Sequence, residues 1–234
     1  MNRIVKVGVA ALALGAVQSV HAQAEEVVVE ESYGWTPIAF GLATPVQLPW
    51  GINKWDVFGL DLNVFYADAP LMYGWQIACA NTVRRELRGI GTGVLFNYCG
   101  GDVRGVRVTV GANITRGDTY GLEIGSVGWH EFVKGVDIEV ACCVQHEISG
   151  MNLSILGSFT GEQSYGATIG CVNFAPRAYG LQLGFAYNHT DELHGCQIGL
   201  VNYARECPWG FQIGLVNIIL DNKIKVLPLV NCYF

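Results

Sequence analysis

The chain has 234 residues, 51% of them hydrophobic and only 15% charged, enough for one sizeable domain. Its 14 Lys and Arg are outnumbered by 20 Asp and Glu and form no basic stripe, which excludes a nucleic-acid surface. Beyond the N-terminus no stretch approaches the roughly eighteen consecutive apolar residues of a spanning helix, which excludes a helical membrane protein.

The first element is MNRIVKVGVAALALGAVQSVHA. Arg3 and Lys6 precede an apolar run too short to span a bilayer, and Val20-His21-Ala22 offers small residues where a signal peptidase reads. Residues 1–22 are therefore expected to be a cleaved secretory signal, and losing Arg3 and Lys6 would take the net charge of −6 two units lower. Residues 23–54 read as a lead-in. QAEEVVVEE is acidic, and the stretch from Tyr33 to Trp50, with Pro37, Pro45 and Pro49, suits an extra strand or an inner lining. A single repeat β domain is expected over 55–234. Export permits disulfides, but the eight cysteines recur at no fixed spacing, so no cystine scaffold is expected and isolated pairs stay open.

From Trp55 onward a glycine followed by apolar-polar-apolar recurs at Gly59, Gly74, Gly89, Gly105, Gly121, Gly135, Gly150, Gly166, Gly180, Gly195 and Gly210, every 14 to 16 residues. One place after it the residue is always apolar, as in Trp75, Met151 and Phe211. Two places after it come Asp61, Gln76, Gly91, Arg107, Glu123, Asp137, Asn152, Thr168, Gln182, Gln197 and Gln212. Period two repeated through eleven units predicts β-strands with one apolar face and one polar or small face. Segments such as ADAP, RGD and RECP between them read as turns.

Two all-β architectures accept such a repeat. The first is an up-and-down antiparallel transmembrane β-barrel of about 12 strands, or 14 if Trp35 to Leu48 contributes, with the apolar face toward lipid. The second is a β-solenoid of parallel coils, in which Gln182, Gln197 and Gln212, and Asn173, Asn202 and Asn217, would stack as amide ladders. The barrel is favoured by the chain's alternating last strand, which ends on Phe234, and by aromatic residues before the glycine. Against it, a strand face of ~20–25 Å tilted by ~40° spans a thinner band than the ~25 Å of a barrel.

On the barrel reading, Asp61, Gln76, Arg107, Glu123, Asp137, Glu139, Gln182, Gln197 and Gln212 face the lumen. Phe58, Tyr73, Tyr120, Tyr165, Tyr179 and Trp209 would form two aromatic girdles, and Phe234 the assembly signal. The expected partners are outer-membrane lipid and the outer-membrane assembly machinery. The expected function is that of an outer-membrane or cell-surface repeat protein, structural or a small passive pore. The alternative is a secreted or surface-tethered β-solenoid that binds partners through its polar ladder face.

Repeats of the form G-[LVF]-Q-[IL]-G-L-[VI]-N, the entry stretch TPVQLPWGINKWDVFGLDLNVFYADAP and the ending PLVNCYF resemble those of bacterial "surface repeat-containing" proteins. The resemblance runs from about Thr36 to Phe234, close in the last three units and degenerate from Gly89 to Met151. It implies export and surface or outer-membrane association, and carries no catalytic residues.

Other chemistry finds little footing. ACCVQHE (Cys142, Cys143, His146, Glu147) and HTDELHGC (His189, His194, Cys196), with His130 and Glu131, match neither a paired C-x-x-C nor an H-E-x-x-H helix, and read as rim polar residues. No nucleophile motif accompanies a Ser-His-Asp set. Arg84, Arg85 and Arg88 read as one basic turn. No enzyme activity, metal or cofactor is expected.

Overall fold

The computed structural model describes residues 32–51 and 54–233; the expected signal segment, the acidic lead-in and Phe234 lie outside them. The described chain is a β-solenoid. Strand β1 (Gly34–Ala43) and the short β2 (Val46–Leu48) precede β3 (Trp55–Ile77), β4 (Ala80–Gly93), β5 (Phe96–Cys99), β6 (Asp102–Thr109) and β7 (Ala112–Thr115). Two very long strands follow, β8 (Asp118–Thr160) and β9 (Gln163–Ile219), and then β10 (Val226–Cys232). The long strands each wind through several coils.

The expected antiparallel barrel is replaced by parallel stacking. β3 pairs with β4, β4 with β6, β6 with β8 and β8 with β9, all parallel, with Gly74 opposite Gly89, Gly89 opposite Gly105, Gly105 opposite Gly121 and Gly150 opposite Gly166. Each unit thus lies directly on the one before it. A barrel closes its sheet across units, whereas this chain closes within each unit.

One coil shows how. Gln197, Asn202, Ala204, Cys207 and then Gln212 are buried, while Leu200, Arg205, Glu206 and Trp209 are exposed. Successive inward residues are thus two, three or five positions apart. Alternation that changes phase in this way marks corners, where the chain turns and keeps the same side inward. Segments expected to be turns, RECP among them, are therefore strand walls, and their small or apolar inward residues cover the core. Ala178, Leu193, Ala204, Cys207 and Ile219 pack as one cluster; Val133, Cys142, Val144 and Ile148 form another; Val57, Met72, Val83, Leu87, Cys99 and Val103 belong to a third.

The anchoring glycines stack at one corner. Gly195 has φ 147°, and a Cβ there would lie 2.0 Å from the carbonyl oxygen of Gly180. Only a residue without a side chain lets successive coils approach this closely at that angle.

Both ends of the stack are closed by antiparallel pairing. β2 folds back on β1, and β1 forms a degenerate first coil parallel to β3, with Ile38 opposite Leu60 and Phe40 opposite Leu62. β10 returns antiparallel over β9, with Val230 opposite Ile213 and Asn231 opposite Gln212. The C-terminal alternation that reads as a last barrel strand is therefore a strand covering the open edge of the final coil, the device a solenoid needs against edge-to-edge growth. Among the described residues no helix is long and apolar enough to cross a membrane, which leaves crossing by strands unaddressed.

Candidate functional site

Two features stand out from the residues upward: an outward apolar face and a polar interior. Residues one, three and five places after each glycine point outward. Val110, Ile155, Phe185, Leu200 and Leu215, all five places after, are 71, 70, 68, 53 and 64% exposed. Beside them Leu62, Trp75, Ile90, Met151, Phe211 and Ile213 are also exposed, and Ile38, Phe40 and Leu42 extend the row over β1. Coils ~4.8 Å apart, each showing about five residues of strand, make this face roughly 48 by 17 Å, on the order of 800 Å². Typical monomers keep their largest apolar patch at ~300–600 Å².

The residue before each glycine borders this face. Because the coils are parallel, these residues form one row and do not divide into the two girdles expected of a barrel. Phe58 meets Tyr73 edge-on at 5.1 Å, and Tyr165, Tyr179 and His194 stack at successive spacings of 4.7 Å. Cations fill the same row: Arg88 lies 4.9 Å from the Tyr73 ring, and Arg104 and Lys134 lie 5.3 and 5.2 Å from that of Tyr120. Trp209 is 73% exposed. Arg88 and Arg104 reach Glu86 at 2.7 and 3.5 Å, so acids accompany the basic groups. Arg84 and Arg85 lie on β4, not on a turn, and pair with Asp68 and Asp56 at 2.6 and 2.5 Å.

The polar face turns inward. All nine residues assigned to a barrel lumen (Asp61, Gln76, Arg107, Glu123, Asp137, Glu139, Gln182, Gln197 and Gln212) are buried, within a packed coil interior. The binding surface anticipated for a solenoid was this polar ladder face; it is internal, and the apolar face is the one presented. Gln212 donates to Gln197 and Gln197 to Gln182, each at 2.8 Å. Asn173 donates to Asn188, Asn188 to Asn202 and Asn202 to Asn217 at 2.8 to 2.9 Å. A second asparagine ladder, Asn81 to Asn97 to Asn113, escaped the sequence reading, although its sixteen-residue spacing matches the local repeat.

Between the two asparagine ladders three consecutive coils carry Gly128, Cys142 and Ser158 at that position, with Gly128 opposite Asn113 and Ser158 opposite Asn173. Charge occupies the gap. Arg107, wholly buried, donates Nε to Glu123 Oε1 at 2.7 Å, Nη1 to the Ile114 carbonyl at 3.2 Å, and Nη2 to Thr115 Oγ1. His130 Nε2 lies 3.1 Å from Glu123 Oε2 and 3.7 Å from Glu139 Oε1. Cys142 and Asn152 donate to Asp137 Oδ2 at 2.8 and 3.0 Å. Burial opposes charge on His130, but the carboxylates of Glu123, Glu139 and Asp137 outweigh it and push its pKa up to about 9. Burial also raises Glu139 to about 7, and raises Asp137 and the Cys142 thiol.

Sequence spacing placed His130 with Glu131 at a rim; the fold joins it instead to Glu123, Asp137 and Glu139. His146 pairs with exposed Glu162 at 2.9 Å and His194 with Glu192 at 2.7 Å, each apart from this cluster. All eight cysteines are free thiols. Compared with known proteins, the chain matches no family model, no curated protein and no solved structure.

Proposed function

We propose that this chain is an exported, surface-tethered β-solenoid module without catalytic activity, which docks on membrane lipid through its apolar face. One observation carries the reading: a sheet face that is apolar except at Thr92 and Ser126 points outward along the stack, while the polar residues of the opposite face are buried. The passive-pore reading rested on a barrel lumen, and the solenoid encloses packed side chains in its place.

Lipid is the occupant the border favours. Aromatic rings mixed with Arg and Lys at the margin of an apolar surface are the arrangement found where protein meets the headgroup layer. The accompanying acids, and a net charge of −6, favour zwitterionic over anionic headgroups. The resemblance of the repeats to surface repeat-containing proteins points the same way.

Flotation with phosphatidylcholine vesicles tests this. The wild-type chain should float with the vesicles, and the double variant Leu200→Glu, Leu215→Glu should remain at the bottom of the gradient with an unchanged circular-dichroism spectrum. Equal flotation of both proteins, or none of either, would overturn lipid docking.

A further inference from the structure

Four inward side chains from successive coils converge where the asparagine ladder is interrupted. Glu123, His130, Asp137 and Glu139 each offer a ligand atom within 4.8 Å of every other, and all four are buried. Metal bonds of ~2.1 Å place opposite ligands ~4.2 Å apart, so little movement separates this cluster from a coordination shell.

The hydrogen bonding is incomplete in a directed way. Asp137 Oδ1, His130 Nδ1 and both carboxylate oxygens of Glu139 are buried without a hydrogen-bond partner, and Glu123 Oε2 and His130 Nε2, though 3.1 Å apart, do not meet in hydrogen-bonding geometry. The other oxygens of Glu123 and Asp137 are fully engaged, one by Arg107 and the other by Cys142 and Asn152. The engaged atoms thus hold the carboxylates in place while the free ones face the same small volume. Supporting bonds of this kind orient metal ligands. Space for Glu139 depends on Gly128, where a Cβ would lie 1.6 Å from Glu139 Oε2.

Charge closes the argument. With His130 neutral, as a metal-bound imidazole is, three carboxylates against the one Arg107 guanidinium leave two negative charges in a buried interior, which one divalent ion balances. We infer that this interior site binds one divalent first-row transition ion, of the Zn²⁺ or Mn²⁺ class, through Glu123 Oε2, His130 Nε2, Asp137 and Glu139. A single imidazole among carboxylates suits these ions; Ca²⁺ and Mg²⁺ prefer six or more oxygen ligands, water often among them. The ion ties together the coils whose amide ladder is broken, and so acts as a structural clasp in mid-stack. The inference is independent of lipid docking.

The test uses the full chain, refolded in chelator-treated buffer with Zn²⁺ or Mn²⁺, dialysed and analysed by mass spectrometry for metal. Wild type should retain about one ion per chain and melt at a higher temperature than protein refolded without metal. Glu139→Gln and Asp137→Asn should fold yet retain less than about a tenth of an ion. Wild type without bound metal would overturn the site, with protons then balancing the charge. Equal retention by the variants would also overturn it, assigning the metal to exposed pairs such as His146–Glu162. Should the variants not fold, X-ray absorption of the Zn²⁺-loaded wild type decides: a nitrogen and oxygen shell with one imidazole supports the site, and sulfur scattering excludes it.

Discussion

Gln212 donates its side-chain amide to Gln197 at 2.8 Å, and Gln197 passes the same bond to Gln182. The middle residue of the three is both donor and acceptor and wholly buried, and Gln212 Nε2 has one other acceptor, the Ile218 carbonyl at 3.1 Å. Gln197→Leu removes an acceptor from Gln212 and a donor from Gln182 in one step. Each stranded buried group costs ~1–3 kcal/mol, so a loss of about 2–5 kcal/mol is expected. Gln182→Leu, at the ladder's end, should lose roughly half as much. Urea unfolding followed by circular dichroism checks the ranking, and equal losses would show that the ladder is not cooperative.

The glycine corner predicts a sharper contrast. Gly195→Ala places a methyl group 2.0 Å from the Gly180 carbonyl at φ 147°, so the coils must separate or the corner must open. A loss above about 3 kcal/mol is expected. Gly51 has φ 80° but nothing within 4 Å of an added Cβ, so Gly51→Ala should lose about 1 kcal/mol or less. Thermal melting of the two variants, prepared side by side, separates contact from conformational strain.

These two features also show what sequence could and could not tell. Repeat length, strand character and the two-sided pattern are all legible, because a run such as GFQIGLVNI alternates through every residue. Alternation does not say how the sheet closes. The barrel reading turns Gln212 inward and Phe211 outward, as they lie in the coil, whereas the solenoid alternative presents the polar ladder face for binding, so neither reading joins the right faces to the right architecture. Identical amides at the same place in Gln182, Gln197 and Gln212 carried the deciding signal, since only parallel in-register coils bring them into contact. Ala204 and Cys207 were passed over because one small inward residue in a polar segment looks like a turn. The charged cluster was hidden for a different reason. Its members share no motif, and His130 and Glu139 come together only once the coil geometry is known.

Asp61 predicts the pH response at the N-terminal end of the stack. It accepts hydrogen bonds from Asn63 at 2.7 Å and Gln76 at 3.1 Å, yet burial raises its pKa to about 6. The folded chain therefore binds this proton more tightly than the unfolded chain, whose carboxyl titrates near 3.8. Stability from this group is fully present below the unfolded pKa, declines as pH rises, and is lost above about 6. Asp61→Asn should be more stable than wild type at pH 8, by up to ~3 kcal/mol before solvent relaxation is allowed for. The gap should close by pH 4. Denaturant melts at the two pH values check it, and a variant less stable at pH 8 would mean that the two accepted hydrogen bonds outweigh the buried charge.

The apolar face predicts behaviour even where lipid is absent. A surface near 800 Å² with Phe185, Leu200 and Leu215 largely exposed is large enough to drive association between copies, since stable interfaces bury roughly 800 Å² per partner. In lipid-free buffer the wild type should therefore self-associate with rising concentration, and mild detergent should return it to monomer by covering the same face. Leu200→Glu with Leu215→Glu places two charges at the centre of the outer row. That variant should stay monomeric at about ten times the concentration at which wild type associates, because desolvating an unpaired carboxylate outweighs the gain from burying its neighbours. Its melting temperature should change by no more than a few degrees, since both leucines face solvent and neither contributes to the interior. Sedimentation velocity over a concentration series gives the answer. Association that persists in the double variant would move the sticky surface to the stack ends, where Val226, Leu229 and Val230 of β10 are exposed.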